Sequence, residues 1–500
     1  MNKSFTHYLF VSALTLTALN ACDDSDEGSG TNKKIDFTDK SVNPSLVYAM
    51  PGFESKLKIS TLISSDDVLP ESPGFIFGAQ PDGAGLMKNP DGKGYIMINN
   101  HEIHWAVSRI YLDETFKPVK GEYIMDADGG GFRLCSATLA TPDEHGFGPL
   151  FLTAGESSEE SLVHAIDPLA AADKKTSRTK PALGRANMEN AVPLPKAAYP
   201  GKTLVFMGED QSFTSAHQSA GQLIMYMSNT VGDLDNGDLY VLKRTDNNTT
   251  ETDMVKGQQY DVQFVKVNAT KATKDMSGKD INTANIALNA IRFSRVEDVD
   301  YRKGSAANNR QVYFTATGQS PDRVNPQPGF TMWGRVYRLT MDAADPLKGK
   351  LELAIDGDAD AGNGLINPDN LCVTENVVYT QEDGDSFYTN AQHDSYIWQY
   401  RISTGENKAW LNMNHRRDDA AFNAKYNTAG VNVQTTKGYW EFGAMYDISD
   451  IIGVPETFIV NIHPHSWLDN KFKNPDVDGA NKLTNNTEGG QIVIVRGVDK

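Results

Sequence analysis

Cysteine is nearly missing from this chain. Three occur in 500 residues, Cys22, Cys135 and Cys372, so no disulfide framework can hold the fold, and at most one bridge, Cys135 to Cys372, is open to the body. Basic residues also fall short, 47 Lys and Arg against 65 Asp and Glu for a formal charge of -18. A nucleic-acid backbone needs clustered cations, so that partner class is excluded. Long apolar runs are absent too: the best, "YLFVSALTLTALNA", is too short to span a bilayer comfortably. No strong interior linker divides residues 41–500, which are read as one domain. With 39% hydrophobic and 22% charged residues the chain is neither disordered nor fibrous.

What is present begins at the leader. Lys3 precedes the short apolar run, and small Ala21 stands just before Cys22, the layout of a bacterial lipoprotein signal. Residues 1–21 are therefore expected to be a signal peptide, Cys22 the lipidated first residue, and residues 22–40, with "DDSDEGSGTNKK", a flexible tether. The body is expected outside the cytoplasm, held to a bacterial membrane, the outer membrane or the cell surface, through lipid alone. A cleaved, unlipidated secretory signal is the alternative, and it exports the body as well. No Arg-Arg pair precedes the apolar run, so the chain is expected to cross unfolded and to meet its metals outside.

The body reads as all-β. Runs such as "GYIMINN", "GPLFLTAGE", "KTLVFMGED", "QLIMYMSN", "RQVYFTATG", "NVVYTQEDG", "TFIVNIHP" and "GQIVIVRG" are bounded by Gly, Pro, Asn or Asp. They recur in a loose order: a strand ending in a polar or acidic group ("MGED", "TATG", "QEDG"), then a strand of the form "LYVLKR", "VYRLTM" or "WQYRIS". Weak repetition of a small antiparallel unit predicts a β-propeller with inserted loops and short helices. A sandwich, or two β domains, is the competing layout. In a propeller the strand ends at Glu102, Glu156, Glu209 and Asp383 are expected to converge, and the acid surplus suits hard cations such as calcium.

Several stretches, in order, resemble PhoX-type bacterial alkaline phosphatases. They are "MINNHEI", "GGGFRLCSATLATPDEHGFGPLFLTAGES", "GRANMENAV", "LVFMGEDQ", "FSRVEDVDY" with "VYFTATG", "NPDNL" with "VVYTQEDG", and "YDISDIIGVPETFIVNIHPHSW". The resemblance runs from about Asn99 to His465. It implies a propeller of about six blades holding calcium and iron ions that hydrolyse phosphate monoesters. It matches Cys135 to an iron-binding cysteine and Glu156, Glu189 and Glu297 to acidic metal ligands, with Asp383 a looser match. It matches Arg295 to an arginine that contacts phosphate, and it places His463 in a late histidine segment. Glu102, in "NNHEI", joins the candidate ligands as a strand-end carboxylate. The chain departs from the family after the cysteine, with "TPDEHGFGP" and "TAGESSEE" in place of Pro-Trp-Gly and paired acids, so calcium alone and calcium with iron both stay open.

The residue types suit that chemistry on their own terms. Thiolate and carboxylates hold iron, oxygen ligands suit calcium, and bound cations polarise phosphoryl oxygens. Arg295 and Glu297, two apart on an extended strand, are expected to share a face and grip one phosphate. The plainer readings make Cys135 and Cys372 buried thiols, Glu189 a turn carboxylate, Glu297 a solvated charge opposite Lys303, and His101 and His104 structural. Two functions follow. One is a metal-dependent phosphoesterase acting on a phosphorylated small molecule. The other is a non-catalytic, metal-braced propeller lipoprotein binding a surface ligand or a protein partner.

Overall fold

A computed structural model describes residues 34–130, 132–319, 325–360, 362–384, 391–474, 477 and 487–500. The expected signal peptide, Cys22 and residues 23–33 of the tether lie outside these. Ile35 and Phe37 already pack against a core cluster, and the Asp36 amide donates to the Thr115 carbonyl at 3.1 Å.

The apolar runs form antiparallel sheets, with three α-helices among the described residues, Gly278–Ala287, Ala420–Tyr426 and Ser449–Ile452. None is long and apolar enough to cross a membrane. Strands such as Thr203–Gly208 are buried at every position because successive sheets stack face to face. Leu204 and Phe206 enter one core cluster, and the alternate Val205 and Met207 enter the next. A period of two with both phases apolar is the mark of a strand covered on both faces.

Hydrogen bonding delimits five sheets: four of three to five strands and one of nine. The propeller-like arrangement is present, but separate blades are not cleanly partitioned. The nine-stranded sheet consists of two runs, one from Val192–Pro193 out to Gln259–Lys266 and one from Val299–Tyr301 out to Lys348–Asp356. Their far edges pair, with Gln259 opposite Glu352 and Gln263 opposite Lys348. Two long edge strands that face one another satisfy their free N–H and C=O groups by pairing.

The inner strands contact one another in a closed ring, Pro81–Lys88, Leu134–Ala140, Val192–Pro193 with Thr203–Gly208, Val299–Tyr301, Pro368–Val373 and Glu441–Asp447. The ring is sealed by sequence-distant ends: Lys58–Ser64 pairs antiparallel with Gln491–Arg496, completing the sheet that holds Thr457–His463 and Glu441–Asp447.

Buried carboxylates stitch the ring at its centre. Asp298 accepts from Ser136 Oγ at 3.2 Å, from Asn190 Nδ2 and from the Leu371 amide at 2.7 Å, joining four inner strands or their flanks. Asp82 Oδ1 accepts from Asn370 Nδ2 at 3.2 Å and from the Ala444 amide at 3.0 Å. Burial pushes the Asp298 carboxyl up to about 7. Asp298→Asn keeps the volume but turns an amide donor on one of these donors. At pH 8, where Asp298 is ionised, the variant is expected to lose about 1–3 kcal/mol in urea unfolding.

Candidate functional site

Five inner strands or their flanking loops, with the ends of strands Tyr95–His101 and Leu150–Gly155, deliver an overlapping set of donors to one place. Glu102, Cys135 and Glu156 have ligand atoms within 4.8 Å of one another; so do Asp82, Cys135 and Glu189, and so do Glu189, Glu297 and Asp369. Cys135 and Glu189 belong to two groups each, so the three triads run into one another as a single centre. Cys135 Sγ donates to Glu156 Oε2 at 3.0 Å, and the Ser136 amide donates to Glu189 Oε1 at 3.1 Å. Arg133 Nη1 pairs with Glu102 Oε1 at 3.0 Å.

Burial is the first cause that pushes Glu156, Glu189, Glu297, Asp369 and Asp82 well above the usual carboxylate range, and neighbouring carboxylates add to it. The Cys135 thiol is pushed up in the same way, by burial and then by Glu102, Glu156 and Glu189. A centre of this kind favours protons or cations over empty space. Asp369 Oδ1 is buried without a hydrogen-bond partner, as expected of an oxygen set to coordinate. One thiol among many carboxylates fits calcium and, at Cys135, a softer metal such as iron.

Arg295 closes the other side of the centre. Its Nε donates to Asp210 Oδ1 at 2.6 Å and its Nη2 to Asp210 Oδ2 at 3.3 Å, while Nη2 lies 2.7 Å from Glu297 Oε1. Burial alone would raise Asp210, but Arg295 together with hydrogen bonds from Glu156 and Glu297 outweighs it and holds the carboxyl below its ordinary value. An open cleft of about 560 Å³ lies here, with Glu156, Asn187, Asp210, His217 and Arg295 among its lining residues.

Arg295 and Glu297 do meet, but not by the route expected from the sequence. Residues 294–298 are not a strand, and Arg295 sits at φ 64°, in the left-handed region. A non-glycine residue there is strained and must be held by its surroundings. The Val296 amide donates to the Glu209 carbonyl at 3.1 Å and the Thr317 amide to the Arg295 carbonyl at 3.0 Å. The neighbouring Ser294 amide donates to buried Glu251 Oε2 at 3.1 Å. Gly208 leaves room for this turn, since a Cβ there would stand 2.3 Å from the Glu297 carbonyl oxygen.

Of the expected ligands, Glu102, Cys135, Glu156, Glu189 and Glu297 come together; Asp383 does not enter these groups. It lies near enough to act electrostatically on Arg295 and Glu297, and its backbone carbonyl accepts from Asn367 Nδ2 at 2.7 Å. Glu209, expected to converge, also stays outside. Adjacent residues at a strand end face opposite ways, so Asp210 takes the inward position and Glu209 is buried elsewhere, pushed up to about 8 by burial and then Glu159. Asp82, Asp210 and Asp369 are the members that sequence reasoning missed. Asp369 lies within "NPDNL" and Asp210 within "MGEDQ", so the right stretches had been marked with the wrong residue in view.

The plainer readings divide. Glu297 is not solvated opposite Lys303: it is 4% exposed, and Lys303 pairs with Asp300 at 2.9 Å. Cys135 and Cys372 are both free and buried, without a bridge, and Cys372 packs in a hydrophobic cluster. His101 is fully buried and donates to or accepts from Ser108 Oγ at 2.7 Å; neither it nor His104 enters the clustered donors. His463 pairs with Glu441 instead of joining the Cys135 centre.

A family model described as Alkaline phosphatase PhoX matches residues 142–427, more than half of the chain. Cys135, Glu102 and Asp82 fall before that stretch, and Glu441 and His463 after it. The solved structure of Pseudomonas fluorescens PhoX in complex with vanadate, a transition state analogue, is similar at a TM-score of 0.60 and 14% identity, covering 93% of this chain and 98% of that one. At that identity the likeness is one of fold. The PQQ-bound aldose sugar dehydrogenase of Streptomyces coelicolor aligns at a TM-score of 0.37 and 9% identity over 88% of this chain and 99% of that one. No curated protein sequence matches the chain.

Glu251 offers a check on how the arginine turn is held. Burial pushes its carboxyl from 4.5 up to about 7 despite Arg335 and the Thr331 and Ser294 donors. The fold therefore binds a proton that the unfolded chain has released. This contribution is full below pH 4.5 and is lost as pH rises through 7, about 3 kcal/mol over the interval. Unfolding free energies from pH 4.5 to 8 are expected to show that decline in wild type and a flatter profile in Glu251→Gln.

Proposed function

The chain belongs to the alkaline phosphatase PhoX family, and from that premise we propose that it hydrolyses phosphate monoesters outside the cytoplasm, using cations held by Cys135 and the carboxylates around it. The observation that carries this reading is the meeting of Arg295, Asp210 and Glu297 at the edge of the triad Glu189, Glu297 and Asp369. A phosphate monoester carries two negative charges near neutral pH, and here a fixed guanidinium stands beside a site that collects cations.

Glu189, Glu297 and Asp369 would hold calcium through oxygen alone. Cys135, with Glu102 and Glu156 or with Asp82 and Glu189, would hold calcium's partner metal, iron being the one a thiolate favours. When bound, such ions polarise phosphoryl oxygens and make a nucleophile available near neutral pH. The protein's own residues do the rest. Asp210 takes Nε and Nη2 of Arg295 and Glu297 takes Nη2, so the guanidinium plane is set before a substrate arrives. Its side chain is 22% exposed while those of Asp210 and Glu297 are 6% and 5%, so it is the member of the trio that a phosphate in the cleft can reach. A planar, permanently charged fork then matches two phosphoryl oxygens.

The nine-stranded sheet counts, in this reading, as two blades that share an outer edge, giving six around the centre. The substrate is a phosphorylated small molecule, and the body is tethered by lipid on Cys22.

The test is hydrolysis of p-nitrophenyl phosphate with Ca²⁺ supplied, with and without iron, alongside thermal melts. Glu297→Gln is expected to lower turnover far more than it lowers the melting temperature. Arg295→Ala is expected to cost on the order of 3 kcal/mol of transition-state stabilisation, roughly a hundredfold in kcat/KM. Full wild-type rates in both variants would mean the site is misplaced. No hydrolysis by wild type under any metal condition would favour the non-catalytic, metal-braced lipoprotein instead.

A further inference from the structure

The last sheet carries a second cluster of ligand groups with a different chemistry. Glu441, His463 and His465 have ligand atoms within 4.8 Å of one another. Glu441 begins the inner strand Glu441–Asp447, and His463 ends the neighbouring strand opposite it. His465 follows two residues later, its amide bonded back to the His463 carbonyl at 3.1 Å.

Each imidazole is anchored through one nitrogen and aims the other at the same carboxylate. His463 Nε2 stands 2.8 Å from the Pro81 carbonyl oxygen. A carbonyl only accepts, so Nε2 carries a proton, and Nδ1 is the nitrogen left to meet Glu441 or a cation. That Nδ1 is 3.1 Å from Glu441 Oε1 and is buried with no other partner. His465 Nδ1 is 2.7 Å from Glu488 Oε1, and Nε2 is 3.1 Å from Glu441 Oε2. Gln80 Nε2 steadies Glu488 through its other oxygen at 3.2 Å. Gly443 lets His463 sit so close to the chain, since a Cβ there would be 2.7 Å from its Nε2.

We propose that Glu441, His463 and His465 form a separate binding site for a divalent transition-metal ion of the zinc, iron or cobalt type. Two imidazole nitrogens and one carboxylate are the donor set such ions favour, with positions left open, whereas calcium prefers oxygen alone. The Pro81 carbonyl and Glu488 occupy the place of the outer acceptors that orient ligating histidines and raise their basicity. Were both rings neutral, their lone pairs would repel the carboxylate, and a cation between them would reverse the sign of all three contacts. Protons on both rings would do the same electrostatically, and that is the competing state. The site adjoins the Cys135 centre through Glu102, whose carboxyl feels both histidines. It does not rest on the phosphatase reading, because metal uptake is measured without substrate.

The probe is Co²⁺, titrated into the full chain after stripping with chelator and refilling with excess Ca²⁺, and followed by visible ligand-field absorption and bound-metal analysis. Wild type is expected to take up one equivalent, besides any held at Cys135, that His465→Gln, His463→Gln and Glu441→Gln each lose. Cys135→Ser is expected to keep that equivalent and lose only sulfur-to-cobalt absorption in the near ultraviolet. Glu488→Gln is expected to retain the site with binding ~10–100-fold weaker. His465, whose side chain is 14% exposed against 0% for His463, serves if the His463 variant does not fold. Equal uptake by wild type and a folded His465→Gln overturns the site. So does uptake that vanishes entirely with Cys135→Ser, or a wild type whose two rings stay protonated and take no Co²⁺.

Discussion

Like charges brought together out of water set the terms for everything at the middle of this molecule. Asp82, Glu102, Glu189, Glu297 and Asp369 are all buried within overlapping reach of one another, with a thiol in their midst. Against them the protein sets Arg295 on one side and Arg133 on the other. Ionising the whole set without further positive charge is expensive in a medium that solvates poorly. The stitched core shows how the chain tolerates this. Asp298 is spent on three donors from different blades, so it braces the ring, whereas Asp369 keeps an oxygen without a donor. Neighbouring carboxylates thus divide into those that hold strands together and those held ready for a cation.

That division explains why the site needs a closed ring. A lone strand end can offer one or two ligands, and a loop can offer more only by losing rigidity. Here the ligands come from residues as far apart as Asp82 and Asp369, each fixed by a strand near the ring or the loop beside it. The arginine is fixed differently, by a strained turn that Glu251 and the Glu209 carbonyl hold in place. A rigid donor set and a clamped guanidinium are two routes to the same end, groups that need not reorganise when a charged substrate arrives.

Much of this was legible in the sequence, for identifiable reasons. Apolar runs with both phases hydrophobic report a sandwiched strand whatever its neighbours, so the all-β fold could be read. Cys135, Glu189 and Glu297 sit in stretches whose order resembles a family, so they could be named. The register at strand ends could not be read, because one residue's difference reverses the direction of a side chain. That is why Glu209 stood for Asp210; Asp369 was missed for another reason, since it lies inside the strand Pro368–Val373 and not at the strand end where Asp383 was sought. The left-handed turn at Arg295 was hidden as well: nothing in "FSRVEDV" declares a positive φ, and the extended geometry assumed for it gave the right meeting for the wrong reason. The pairing of Gln259–Lys266 with Lys348–Asp356 joins strands that no local pattern connects.

The sheet that contains Glu441 and His463 is finished by a strand from the other end of the sequence, Lys58–Ser64, lying against Gln491–Arg496. During synthesis the early strand has no partner until nearly the whole chain has been made, and contacts this remote in sequence form slowly. The ring around the donors is not sealed before then. Any ions that the donors take up at that moment of closure come from whichever solution surrounds the chain. Metal identity would then depend on the place of ring closure as well as on ligand type, and a chain refolded in another ionic mixture could carry a different set of ions in the same architecture.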